Sequence, residues 1–293
     1  MNDYAVETIQ VDRYFAKVVA VRDLNLRVPR GSLCGLLGRN AAGKSTVMRM
    51  LAGLIKPHCG RVLVHGGDPF IFNAEQRAAL GYVPERIVLP LFLTAEKLIK
   101  FFARLQVNYD STQATGLLAK LEINPRRKIG ELSLGQQKIV SFVLAVAQRP
   151  TVLLLDEPSA NLDAVARRIM LDAVLELARE QGTTVLLSTH ILSDIERVAD
   201  QIAIIAHGTL KIADSLDRLK ETIKRVRIVG PHEALAGVVV PASFSLRRAE
   251  TEIEAVMSLD NEEALAQSLR AAGCSYEANP LSLEDIFVEV AGP

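Results

Sequence analysis

The segment Gly38-Arg39-Asn40-Ala41-Ala42-Gly43-Lys44-Ser45 has the spacing G-x-x-x-x-G-K-[ST]. That pattern suits a polyphosphate. Glycines let successive main-chain N–H groups curl around phosphate oxygens, the lysine reaches the β- and γ-phosphates, and the serine hydroxyl is a ligand for Mg2+. Residues 32–37 read as a buried strand feeding this loop, and residues 45–54, with Thr46 in their first turn, read as the helix that leaves it. A helix starting there aims its positive dipole end at the same anion. An accidental glycine-rich turn has no reason to sit between a strand and a helix.

A second polar cluster follows an apolar run, Leu153-Leu154-Leu155-Asp156-Glu157-Pro158. Burying such a strand brings its terminal carboxylates to the carboxyl edge of the sheet, where ligands sit in open α/β folds. Asp156 is placed to hold the Mg2+ shell and Glu157 to take a proton from an attacking water. Alone, an acidic pair after a strand is usually a solvated strand end. Its weight comes from the Lys44 loop.

Between these lies Leu132-Ser133-Leu134-Gly135-Gln136, where Ser133 and Gln136 have the spacing of a capping box. In this position the segment resembles the L-S-x-G-Q signature of the ATP-binding cassette (ABC) superfamily. The order of the motifs agrees. Ser159-Ala160-Asn161-Leu162-Asp163 looks like that family's D-loop, and Thr189-His190 looks like its switch histidine. Tyr14 and Phe15 fall where the family sets an aromatic ring against adenine; counting back from Ala20 favours Phe15, with Tyr14 the alternative, and either also suits a plain core position. The resemblance covers about residues 5–220. It implies an α/β fold: a P-loop NTPase core with an antiparallel β subdomain and an inserted helical subdomain. It implies Mg-dependent ATP hydrolysis, with Glu157 and His190 catalytic and Ser45, Asp156 and residue 85 around the metal. It also implies that Ser133, Gly135, Gln136 and Asp163 contact ATP at a seam between two cassettes, so that one chain lacks a complete site.

Two positions depart from the family pattern. Glu85, in Tyr82-Val83-Pro84-Glu85, stands where Gln is usual, which adds negative charge beside the triphosphate. Glu at this place resembles a branch of the family serving exporter-type permeases. Ala41 replaces a common Gly, at a cost of about 1 kcal/mol if φ is positive there.

The elements that must position these groups alternate as strand and helix through about residue 222. Helices are expected at 95–105, with Thr94 as N-cap, from Ser133 to Gln148, at 164–180 and at 193–198, and strands at 152–155, 184–188 and 202–206. The expected domains are an ATPase at 1–222, with a helical subdomain at about 86–149, and a small α+β appendage at 223–293. In the appendage, strands are expected at 226–229, 238–240 and 244–246, and helices at 262–272 and 283–290.

The 34 basic residues balance the 34 acidic ones, which disfavours nucleic acid as the main partner. No apolar run reaches the roughly 18 residues of a membrane span, and the first ten residues lack the pattern of a signal peptide. Cys34, Cys59 and Cys274 have no metal-binding or redox spacing. A cassette without spans implies a second ABC subunit and an integral membrane permease, with the chain in the cytoplasm against the inner face of the cell membrane. The alternative is a soluble ABC ATPase acting on ribosomes or nucleic acid. Such proteins usually carry tandem cassettes or long heptad insertions, neither of which occurs here.

Overall fold

The computed structural model describes residues 3–106, 108–240, 243–260 and 262–292. The chain divides into two compact units, the first ending at Leu210 and the second beginning at Lys211.

The first unit contains two kinds of sheet, and burial along the strands distinguishes them. β1 (Tyr4–Phe15) pairs antiparallel with β2 (Val18–Leu24) and with β3 (Arg27–Pro29). It also pairs antiparallel with a later strand, Cys59–Val64, which is β5. Register shifts between Val11 and Tyr14 give β1 the extra twist it needs to reach β2. By contrast β4 (Leu33–Leu37), β7 (Val152–Asp156) and β8 (Thr184–Ser188) are buried at every position. Their near-continuous apolar sequence is what a parallel sheet covered on both faces requires. With β6 (Leu80–Val83), β9 (Gln201–Ala206) and β10 (Thr209–Ser215), a strand that begins in the first unit and continues past its end at Leu210, they form a six-stranded sheet in the order β10-β9-β4-β8-β7-β6. Within it β6, β7, β8, β4 and β9 run parallel.

Helix α1 (Lys44–Leu51) lies in the core shared by the two sheets. Its Val47, Met48, Met50 and Leu51 join Val6 and Val28 of the antiparallel sheet and Leu36, Leu154 and Leu186 of the parallel one in a single buried cluster. The short α2 (Ala74–Ala78) precedes β6. Between β6 and β7 the chain inserts α3 (Ala95–Leu105), α4 (Ser111–Lys120), a 3-10 turn at Ile129–Glu131 and α5 (Leu134–Val146). The α3 start follows from Thr94, whose side chain accepts from the Lys97 N–H, as the sequence predicts. Helices α6 (Ala164–Gln181) and α7 (Leu192–Val198) complete the unit. Among the described residues no helix is long and apolar enough to cross a membrane.

The second unit has α8 (Leu216–Thr222), β11 (Ile223–Val229), α9 (His232–Ala236), β12 (Ser243–Arg248), β13 (Glu252–Ser258), α10 (Glu262–Ala271), β14 (Ser275–Pro280) and α11 (Leu283–Ala291). Its antiparallel sheet has the order β12-β13-β11-β14. Period-2 alternation sends Val226 and Ile228 into a core with Ile253, Ala255 and Met257. Arg225 and Arg227, one residue out of phase, pair instead with Glu254 and Glu289 and with Glu252.

One expected element is absent. Residues 238–240 are not a strand. The Val238 N–H turns back to the Leu235 carbonyl, so the segment closes α9. Val238 reaches the core while Val239 is 87% exposed. A run of three valines satisfies strand propensity without a partner strand to use it. The expected helix at 45–54 ends at Leu51, before Gly53 enters the left-handed region at φ +71°. The expected helix from Ser133 to Gln148 likewise stops at Val146, and Arg149 follows at φ +51°.

Candidate nucleotide site

The chain leaves β4 at Leu37 and turns through residues 38–43 into α1. Lys44 is only 7% exposed, and its Nζ donates to the Gly38 carbonyl at 2.6 Å. Gly43 has φ +107°, and a Cβ there would lie 2.5 Å from the Ala20 carbonyl oxygen, so this position admits glycine alone. Ala41 has φ +63°: the strain foreseen for Ala in place of Gly is present. Residues 39–46 line a pocket of about 420 Å³ together with Val18, Val19, Ala20, Glu85 and Glu157. The backbone cradle, one buried ammonium and two carboxylates therefore share one cavity.

Sheet register sets the carboxylates. Asp156 lies opposite Ser188 across β7 and β8, and the Ser188 hydroxyl donates to Asp156 Oδ1 at 2.7 Å. The Ser45 hydroxyl donates to the same oxygen at 3.1 Å and lies 3.5 Å from Glu85 Oε2. Asp156 Oδ2 is buried and has no hydrogen-bond partner among the described residues. An orphaned carboxylate oxygen beside a serine hydroxyl and a second carboxylate is a donor set of hard oxygens, which fits Mg2+.

Glu157 follows with φ +49°, a left-handed conformation held because its N–H donates to the Ser188 carbonyl at 3.0 Å. Its Oε1 lies 3.7 Å from Lys44 Nζ. Its Oε2 lies 2.8 Å from Nδ1 of His190. An ionised carboxylate only accepts, so Nδ1 carries the hydrogen of this bond. Lys44, Glu157 and His190 thus form a continuous polar chain, of which Lys44 and Glu157 line the pocket.

Ser133 caps α5 in the capping box read from the sequence: its hydroxyl accepts from the Gln136 N–H at 3.2 Å, and the Gln136 side chain accepts from the Ser133 N–H at 3.1 Å. Ser133 is exposed, and Gly135 is buried against the D-loop. A Cβ on Gly135 would meet the Asn161 carbonyl oxygen at 2.4 Å. Asp163 caps α6, accepting from the Val165 and Ala166 N–H groups at 2.9 Å. None of Ser133, Gly135, Gln136 or Asp163 lines the Lys44 pocket. Phe15 is 43% exposed, with the Arg13 guanidinium over its ring at 4.7 Å. The Tyr14 ring lies against His58. Neither aromatic lines the pocket.

Three participants were not singled out from sequence. Ser188 organises both Asp156 and Glu157; a polar residue ending an apolar strand two places before His190 was the available signal. Tyr82, at the end of β6, has its phenol pushed up to about 12 by burial and by the Asp156 carboxylate. Lys138 is 2% exposed and donates to the Pro84 and Glu85 carbonyls. Burial pushes its ammonium down, against the pull of Asp156, Glu85 and Glu157.

Comparison with known proteins places the chain in a family. The ABC transporter family model matches residues 21–160. The Nod factor export ATP-binding protein I of Burkholderia pseudomallei (strain 1710b) is 32% identical, over 100% of this chain and 98% of its own length. The chain belongs to the ATP-binding subunits of ABC transporters. The ABC transporter ATP-binding protein YtrB of Bacillus subtilis (strain 168) is 27% identical to this cassette over 98% of both chains. The solved ATP binding subunit of an ABC transporter superposes with a TM-score of 0.68 at 27% identity, covering 74% of this cassette and 92% of that chain. The α/β cassette fold and the ATPase class expected from the motifs are borne out, and the transporter reading stands over the ribosomal or nucleic-acid alternative.

Proposed function

We propose that this cassette, as residues 1–222 with an accessory domain at 223–293, closes head to tail with a second cassette over two ATP molecules. Closure and hydrolysis then drive a separate permease at the inner face of the cell membrane, in the direction of export. The observation that carries this reading is the split of the motifs. Lys44, Ser45, Glu85 and Glu157 share one pocket, whereas Ser133 sits exposed at the capped start of α5, outside it. A helix N-terminus with a free hydroxyl edge is a good ligand for a γ-phosphate, and a second copy supplies one. The names of the Nod factor export relatives support the direction.

Each residue has a role in this reading. The amides of residues 38–43 and the Lys44 ammonium bind the β- and γ-phosphates. Ser45, Asp156 and Glu85 would hold Mg2+, which when bound supplies charge neutralisation to the triphosphate. Glu157 Oε1 accepts the proton of the attacking water, and His190 orients Glu157 through Nδ1–H while its Nε2 faces the γ-phosphate. Phe15, with the Arg13 guanidinium over its ring, is the aromatic offered to adenine, with Tyr14 the alternative. Ser133, Gly135, Gln136 and Asp163 of the partner close the far side.

Replacing Glu157 by Gln keeps the shape and removes the proton acceptor. Hydrolysis should fall at least about a hundredfold, and the variant should elute as a dimer with ATP and as a monomer without it. A Glu157→Gln variant that stays monomeric at saturating ATP and Mg2+ rules the head-to-tail site out.

A further inference from the structure

The start of α5 reaches the nucleotide unit by a second route that the signature motif does not use. Lys138 lies five residues past Ser133 on α5, and the helix carries it inward, to 2% exposure. Its Nζ donates to the Glu85 carbonyl at 2.6 Å and to the Pro84 carbonyl at 3.2 Å. These carbonyls belong to the segment leaving β6, where regular structure stops and the helical insert begins. The Glu85 and Arg86 side chains are exposed there, so the segment has little packing of its own. A buried ammonium is costly unless its hydrogens are bonded. Here two successive main-chain oxygens satisfy it, and they in turn are anchored.

We propose that Lys138 is a positioning residue for Glu85: by clamping the Pro84 and Glu85 carbonyls from the first turns of α5, it sets where the Glu85 carboxylate stands relative to Ser45 and Asp156, and it ties that placement to the signature helix. The clamp is mechanical. Any displacement of α5 pulls on the main chain at residue 85, and any displacement of residue 85 pulls on the helix whose first turn presents Ser133. The part played by Glu85 toward Mg2+ rests on the function proposed above; the clamp does not.

The test separates the two. In nucleotide-free protein, the rate of tryptic cleavage after Arg86 reports how often this segment opens. Lys138→Met keeps the volume and removes both bonds, so cleavage should quicken at least about tenfold, the factor that the loss of even one charge-assisted hydrogen bond gives; Lys138→Arg should restore most of the protection. Should Lys138→Met fail to fold, Lys138→Gln, whose amide can serve one carbonyl, is expected to quicken cleavage by a smaller factor. The magnesium concentration giving half-maximal ATP hydrolysis should rise in the same order, Met above Gln above Arg. Unchanged cleavage in Lys138→Met, or in Lys138→Gln if the former does not fold, overturns the clamp, as does faster cleavage with an unaltered magnesium requirement while Glu85→Gln shifts that requirement. If Glu85→Gln itself leaves the requirement unaltered, the metal role of Glu85 fails; the clamp is then upheld or overturned by the cleavage rates alone.

Discussion

At the scale of single residues, the site holds side chains in conformations they do not prefer. Ala41 and Glu157 both have positive φ, at +63° and +49°. Each costs of order 1 kcal/mol, and the cost is tolerated because neighbouring bonds over-determine the backbone. For Glu157 that bond is its N–H to the Ser188 carbonyl at 3.0 Å. Ala41→Gly should therefore raise stability by at most about 1 kcal/mol, part of it offset by the greater freedom of glycine in the unfolded chain. Urea midpoints measure this, and a lower midpoint would show that the Ala41 methyl contributes packing that outweighs the strain. Lys44 is the one buried cation that lines the pocket, among the described residues. Lys44→Ala should weaken nucleotide binding by at least about a hundredfold, since a charge-assisted bond to phosphate has no substitute. Equilibrium binding of a fluorescent ATP analogue checks it, and wild-type affinity would remove this lysine from the site.

At the scale of elements, caps and registers decide which groups meet. The pairing of Asp156 with Ser188 across β7 and β8 brings a hydroxyl within 2.7 Å of a carboxylate with no loop involved. Helix α4 depends on Asp110, whose carboxylate accepts from the Gln113 N–H and pairs with Arg149. The helix-cap bond, then the Arg149 guanidinium, hold this carboxyl below its usual value. A depressed carboxyl contributes stability that is present above its unfolded value, about 3.9, and lost as pH falls through the folded one. Asp110→Ala should accordingly cost about 1 kcal/mol at pH 7, with the gap to wild type narrowing below about pH 4. Denaturant titrations at pH 7 and pH 3 measure both ends, and an equal gap at the two would assign the loss to packing alone.

At the scale of the whole molecule, two cores imply two responses. The first unit holds the cluster around Met48, Leu36 and Leu154, and the second holds one around Val226, Ile253 and Met257. A nucleotide bound at Lys44 stabilises the native form of its own unit, by about 2.7 kcal/mol at a hundred times the Kd. Calorimetry with a non-hydrolysable ATP analogue and Mg2+ should move the transition of the first unit upward and leave the second in place. A common shift of a single transition would mean that the two units unfold as one.

Much of this protein was legible in order along the chain. The phosphate loop, the carboxylate strand, the Ser133 cap and His190 are local patterns, because a cradle, a capped helix and a strand end are each made from residues near one another in sequence. The bounds of α3 and β8 were legible for the same reason: a Thr94 cap and an unbroken apolar run carry their own signal. Residues 238–240 were misread because a strand needs a partner, and partnership is not a local property. Lys138 and Ser188 were passed over for that reason too. A lysine in an apolar helix and a serine at a strand end acquire meaning only when folding brings the Glu85 carbonyl and the Asp156 carboxylate beside them. Sequence alone determined the chemistry on offer, since that resides in residue types and short spacings. Tertiary structure alone decided which groups face each other across the pocket, because distances between segments far apart in the chain are set by packing and register.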